Sequence, residues 1–255
     1  MRFLPVFLVA LTLPGAALAQ DGTGHRYRVT LGAQLAPKYP GADKERVGPL
    51  ISLARAKGDA PFAFAAADQS FSLALIDRGG IAFGPVANYE SKRRPRDVGA
   101  NVPVVKFTPE LGGFVQAQVA PGFRLRGEAR QGIGGHKGLI ALIGADAVAR
   151  DGDKYLFAIG PRLTLASDKY ERAYFGIAPA TTLLTGLPSY RAKGGVQAIG
   201  GTANALRQIG PHFGVTGFVK YDRLVSDAAD SPLTRRFGSR DQFSGGLGLS
   251  YAFNR

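Results

Sequence analysis

The chain carries three histidines, His25, His136 and His212, and no cysteine in 255 residues. No two histidines stand at a metal-ligand spacing. Without thiols there is no thiolate-held zinc, iron–sulfur cluster, disulfide framework or catalytic cysteine. The expectation is a protein with no cofactor. Asp227, Asp230 and Ser231, with the distant His212, are the nearest ingredients of a hydrolytic site. A proton relay needs them within hydrogen-bond reach of one another, and Asp-Ser-Pro at 230–232 is more simply a turn in which Asp and Ser bond local backbone and Pro fixes the chain. Gly132, Gly134, Gly135 and Gly138 superficially suggest a phosphate loop. Lys137 stands where the dinucleotide fingerprint requires its third glycine, and no strand-to-helix pattern follows. His136 therefore reads as part of a fixed loop conformation.

The charges say more. Lys and Arg number 32 against 19 Asp and Glu, a net +13. Arg28, Arg124, Arg126, Arg130, Arg162 and Lys220 fall on the polar side of alternating stretches, with Glu128 and Asp222 as partial partners. A second basic group, Lys92, Arg93, Arg94 and Arg96 with Arg235, Arg236 and Arg240, falls in two polar connections. Guanidinium forks match phosphate oxygens. Nucleic acid is a usual partner for so basic a chain, but the interleaved aromatic residues that would stack bases are missing.

The elements that must position these residues are strands. Phe123, Leu125, Gly127 and Ala129 alternate with Arg124, Arg126, Glu128 and Arg130, a period of two that places them on opposite faces of a sheet. Tyr27, Val29, Leu31, Ala33 and Leu35 form another apolar comb, as do Leu247, Leu249, Tyr251 and Phe253. The alternation predicts twelve strands near 25–35, 46–56, 60–66, 69–77, 80–91, 105–119, 122–133, 138–150, 154–167, 194–209, 212–225 and 241–254.

At the N-terminus, Arg2 precedes an apolar run from Phe3 to Leu13, a Pro14-Gly15 break and the small residues Ala17 and Ala19. This is the layout of a cleavable signal peptide over residues 1–19, with residues 20–255 as the exported domain. No later stretch has the ~18 to 20 continuous apolar residues of a membrane helix.

Connection lengths separate a membrane barrel from a soluble β-sandwich, whose strands also alternate. Alternate connections centre on Lys57-Gly58-Asp59, Asp77-Arg78-Gly79-Gly80, Pro121, Asp151-Gly152-Asp153 and Gly210-Pro211, all short turns. The others include 36–45, 92–104, 168–193 and 226–240, all long. Short turns at one end and long loops at the other are the pattern of an outer-membrane barrel. The expected fold is thus all-β: a closed antiparallel transmembrane β-barrel of twelve strands. Its parity depends on keeping 60–66 and 69–77 as separate passes. Tyr89, Tyr155, Tyr221, Tyr251 and Phe253 would lie at the lipid interfaces.

Pro37-Lys38-Tyr39-Pro40-Gly41-Ala42-Asp43, Gly134-Gly135-His136-Lys137-Gly138, Tyr170 with Ala173-Tyr174-Phe175-Gly176-Ile177, Asp230-Ser231-Pro232 and the ending Gly248-Leu249-Ser250-Tyr251-Ala252-Phe253 resemble, in that order, the MipA/OmpV family of outer-membrane proteins. The resemblance spans nearly the whole exported chain. It implies a barrel in the Gram-negative cell outer membrane. In some members it also implies a scaffold for a murein-hydrolysing lytic transglycosylase and a penicillin-binding protein. It carries over no catalytic residues. The chain departs from many barrels in placing Asn254 and Arg255 after the last aromatic residue.

Together these readings predict a structural or scaffolding envelope protein without a catalytic centre, embedded in lipid and lipopolysaccharide. The six lumen residues would make a basic interior, and the seven outer-loop residues would face lipopolysaccharide phosphates. The alternative function is a narrow diffusion channel for small anionic solutes, since a positive lumen favours anions. Against an open lumen, the segment 168–193 would fold inward as a plug.

Overall fold

The computed structural model describes residues 24–254. The expected signal peptide lies outside them. Twelve strands form one antiparallel sheet: β1 (His25–Pro37), β2 (Glu45–Lys57), β3 (Phe71–Ser72), β4 (Ile76–Arg78), β5 (Ile81–Glu90), β6 (Thr108–Ala120), β7 (Phe123–Gly132), β8 (Leu139–Asp151), β9 (Tyr155–Ala166), β10 (Gly195–Gln208), β11 (Phe213–Leu224) and β12 (Asp241–Asn254). From β5 to β12 each strand pairs with the next, and β12 pairs with β1 in continuous register from Arg26↔Asn254 to Leu35↔Gly245. β1 in turn pairs with β2. Short helices, α1 (Pro95–Val98), α2 (Asp168–Phe175), α3 (Pro179–Thr185), α4 (Ser226–Asp230) and α5 (Pro232–Phe237), lie in the long connections. No helix among the described residues is long and apolar enough to cross a membrane.

The side-chain alternation is as expected, and its polarity is the reverse of a water-soluble sheet. On β7, Arg124, Arg126, Glu128 and Arg130 are buried while Phe123 and Leu125 are about half exposed, at 55% and 48%. Leu31, Leu53, Val115, Ile143, Ile159, Val219, Leu247 and Leu249 continue this exposed apolar surface around the sheet. Aromatic pairs mark both margins of it. Tyr251 packs against Phe213 and Phe253 where the turns are, and Tyr221 against Phe243, like Tyr89 against Phe107, where the loops are.

Two expectations fail together, for one reason. The region 60–66 is not a strand, and the ring is not closed by backbone hydrogen bonds: β2 and β3 are the free ends of the sheet. Residues 58–70 leave β2 at the turn end and run along the inner face before β3 begins. The Phe62 N–H donates to Asp153 Oδ1 (3.1 Å), Arg124 Nη1 to the Phe64 carbonyl (2.9 Å), and the Ala67 N–H to Asn204 Oδ1 (2.9 Å). Those partners belong to the β8–β9 turn, β7 and β10. One segment can touch all three only if the sheet is curled around it. β3 and β4 are then two pieces of a single descending pass that pairs with β5. The up-and-down parity survives because 58–70 still ascends, inside the sheet. The turns at Gly79-Gly80, Pro121-Gly122, Gly152-Asp153 and Gly210-Pro211 are short as expected, whereas Lys57-Gly58-Asp59 opens the interior segment.

At the other end the loops share an apolar core that includes Tyr39, Val98, Tyr170, Tyr174, Phe175, Ile177 and Leu233. The segment 168–193 belongs to this cap, as α2 and α3, instead of running down the interior. Its Tyr170, Tyr174 and Phe175 are buried among residues of the other long connections, and Tyr190 packs partly buried against them. The alanine-rich 58–70 stretch, slender enough to pass between inward guanidiniums, runs through the interior in its place.

Candidate functional site

All six residues expected on the lumen face point inward. Arg28, Arg124, Arg126, Arg130 and Arg162 are each less than one-tenth exposed. The alternation of β7 and β9 puts them there, and the curl of the sheet then brings acids from other strands to meet them.

Asp146 on β8 receives Arg124 Nη2 at 2.5 Å and Arg162 Nη2 at 2.7 Å. Arg162 Nε also holds Asp68 Oδ2 of the interior segment at 2.8 Å. Arg126 Nη2 lies 3.0 Å from Glu128 Oε2, and Arg130 pairs with both Glu128 and Glu110, its Nε 2.8 Å from Glu110 Oε2. Nearer the turns, Arg28 Nη2 reaches Asp153 at 3.4 Å; toward the loop end of β11, Lys220 Nζ reaches Asp222 at 2.8 Å. The guanidiniums also lie over rings, Arg28 over Phe62 (4.2 Å), Arg124 over Phe64 (4.3 Å) and Arg126 over Phe114 (4.0 Å). Two of those rings belong to the interior segment. The interior is therefore a charge-paired network, where the sequence suggested a positive lumen with only partial partners.

His136 stands at the loop end of this network. The Gly138 N–H donates to its Nδ1 at 3.0 Å, so the ring proton is on Nε2, which donates to Glu110 Oε1 at 3.0 Å. Asn88 Nδ2 donates to the other Glu110 oxygen at 3.0 Å. A Cβ on residue 132 would stand 2.2 Å from the imidazole, so Gly132 makes room for this ring. Gly144 does the same for Arg162, whose guanidinium nitrogen would be 2.9 Å from a Cβ there. The fixed-loop reading of His136 agrees with this geometry.

Ser70 Oγ donates to Glu128 Oε1 (2.7 Å) and accepts from Arg130 Nη1 (2.8 Å), while His136 is engaged with Glu110. Asp227, Asp230 and Ser231 are in α4 and its flank at the loop end, whereas His212 is in a short turn at the other end. His25 Nε2 bonds Arg55. Among the described residues no cluster of three or more acidic or histidine side chains could hold a metal ion.

The outer-loop basic group divides. Arg93 is buried, its Nη1 donating to the Tyr174 carbonyl at 2.7 Å and Nη2 to the Pro103 carbonyl at 3.1 Å, and it pins the cap. Burial holds its pKa below the ordinary arginine value. It is corrected from phosphate candidate to structural residue. Arg235 and Arg240 both reach Asp230. Lys92, Arg96 and Arg236 are exposed, and Arg94 is half-buried.

The cap also buries an acid the sequence reading passed over. Glu171 of α2 is 1% exposed, and neither carboxylate oxygen has a hydrogen-bond partner. Burial pushes its carboxyl up to about 8; the Gln197 amide opposes that shift and the Asp227 charge adds to it. The other residues missed from sequence are the acids Asp68, Glu110, Asp146 and Asp153. A signal for two of them was present: Glu110 and Asp146 interrupt apolar runs at inward parity. Which arginine each would meet depends on strand register and curl.

A curled antiparallel sheet with an ion-paired interior and an apolar exterior defines the class, that of membrane β-barrels. The family profile described as MltA-interacting protein MipA matches residues 29–253, and the chain belongs to that family. No curated protein matches the sequence. Among solved structures, the chain is similar to the outer-membrane channel DcaP of Acinetobacter baumannii at 8% identity, with 93% of this chain and 100% of that one covered and a TM-score of 0.39. It is also similar to an outer-membrane channel from Pseudomonas putida F1, at 10% identity, 95% and 100% coverage and a TM-score of 0.41.

Proposed function

We propose that this protein is an outer-membrane barrel of the cell envelope with a structural and partner-binding role. The observation that carries the reading is the inverted polarity of the sheet. A soluble monomer seldom exposes a contiguous apolar patch beyond a few hundred Å². Here every long strand contributes to an apolar band bordered by aromatic residues, as a lipid-facing wall requires. The other face carries arginine–carboxylate pairs, which a lipid-facing wall could not hold.

The partner reading rests on the family. Its name records interaction with MltA, and the resemblance implies contact with a lytic transglycosylase and a penicillin-binding protein. The periplasmic surface available for such partners is made of short turns and the two terminal strands. A standing anion channel is disfavoured by the pairing of the inward cations and by the segment 58–70 lying among them. Lipopolysaccharide phosphates remain the proposed ligands of Lys92, Arg94, Arg96 and Arg236, with Arg235 and Arg240 sharing Asp230.

Electrophoresis of the outer-membrane fraction with and without boiling tests the placement. A folded barrel migrates differently before and after heating, and absence from that fraction would sink the assignment. Pull-down of murein hydrolases and synthases by the purified barrel tests the role. Capture of neither class, alongside solute-driven liposome swelling, would favour the channel.

A further inference from the structure

The free ends of the sheet enclose a cavity of about 720 Å³. Its lining has an unusual property at both edges. On β2 it includes Leu50 and Ser52, which pair with Gly32 and Thr30 on the inward parity, and also Ile51 and Leu53, which pair with Leu31 and Val29 on the outward parity. On the facing edge it includes inward Ser72 and Asn88 together with outward Phe71 and Tyr89. A cavity lined by both faces of a strand passes around that strand's edge. The space therefore runs through the wall, from the interior to the apolar surface.

We propose that the gap between β2 and the β3–β5 edge is a lateral portal that admits a single-chain anionic amphiphile from the membrane into this cavity. The proposal rests on the membrane placement above. Ile51, Leu53 and Phe71 are all more than half exposed at the mouth, so whatever arrives there arrives through lipid. The alanines at 63, 65, 66 and 67 line the inner wall and suit an acyl chain. The volume is within the ~300 to 1,000 Å³ of small-molecule sites. For the head group, Lys38 and Arg46 line the cavity at its loop end, as does Glu90, and neither cation makes an ion pair among the described residues. Arg46 Nη1 instead bonds Ser91 Oγ across the gap and bounds the portal at that end.

A protein strand is the rival occupant, since an unpaired edge is a template for one. Pro49 stands within β2, and proline withholds a ladder hydrogen bond, a common means of keeping an edge unpaired. An added strand would also have to displace the Arg46–Ser91 bridge.

The test uses the full chain in phosphatidylcholine vesicles with a palmitate analogue carrying a diazirine in its tail. After irradiation, peptide mass spectrometry maps the labels. The portal predicts labels on Leu50, Ser52 and the 63–67 stretch, removed by Ser52→Trp. Labelling should fall about tenfold with Arg46→Gln and with the alcohol-headed analogue, the scale of one charge-assisted hydrogen bond. Labels confined to outward residues all round the sheet would overturn the portal and leave the membrane placement standing. Equal labelling by the alcohol analogue, or cross-links joining the β2 edges of two copies, would also overturn it. No labelling anywhere would remove the membrane placement and the portal with it.

Discussion

Arg162 joins the interior segment to the wall: its Nε is 2.8 Å from Asp68 Oδ2 and its Nη2 is 2.7 Å from Asp146 Oδ1. The same guanidinium thus holds an acid that belongs to β8 and one that belongs to a stretch with no strand partner. Ser70, bonded to Glu128 and Arg130, makes a second tie a few residues on.

If those ties keep 58–70 in place, Asp68→Ala with Ser70→Ala loosens the segment and unmasks Arg162 and Arg130. In planar bilayers the wild type should be almost silent and the double variant should conduct, with at least about tenfold more current and a preference for anions. A silent double variant would show that the loop cap alone blocks the passage.

Asp146 serves two buried guanidiniums, so Asp146→Ala leaves both with reduced compensation. Removing one partner of a buried pair costs roughly 3–5 kcal/mol. The expected result is a marked fall in the urea midpoint of the detergent-folded barrel, followed by circular dichroism. An unchanged midpoint would mean water reaches this part of the interior freely.

The outward face gives a depth-dependent prediction. Ile143, in the middle of β8, faces outward and is half exposed; its replacement by Arg should cost about 2–4 kcal/mol in a bilayer. Phe253→Arg, near the end of β12 and among aromatic neighbours, should cost roughly 0–1 kcal/mol for the charge. Unfolding from vesicles distinguishes the two. Equal, small effects would fit a water-facing surface.

Glu171 makes the cap sensitive to pH. Its folded pKa, about 8, is above its ordinary value of 4.5, so between those values the folded state binds the extra proton. Stability from this group is complete below about pH 4.5 and declines as pH rises toward 8. Glu171→Gln should flatten that decline and raise cap stability at pH 8.5. Hydrogen exchange in α2 and α4, compared at pH 5 and 8.5, is the readout, and an identical pH response in the variant would refute the assignment.

Much of the architecture was legible because a strand's period of two is local. Phe123 to Gln131 displays both faces without reference to any other part of the chain. The turns at Gly79-Gly80 and Gly152-Asp153 were legible for the same reason. The path of 60–66 was not: Phe62 and Phe64 alternate with alanines as a strand would, and nothing local says that those rings lie under guanidiniums instead of lipid. Arg93 was misread because an arginine beside Lys92 and Arg94 looks solvated until Tyr174 and Pro103, distant in sequence, offer their carbonyls. Glu171 gave no warning on a short helix whose other side chains are mixed.

By itself the sequence determined which residues share a face, where the chain reverses and which ends carry long loops, because these follow from backbone geometry and turn chemistry over a few residues. The tertiary structure alone decided which acid meets which arginine, that 58–70 runs inside, and that one edge of β2 is left without a partner. Those outcomes depend on how far the sheet curls and on which contacts the curled sheet brings within a few ångströms, and both couple residues as far apart as Asp68 and Arg162.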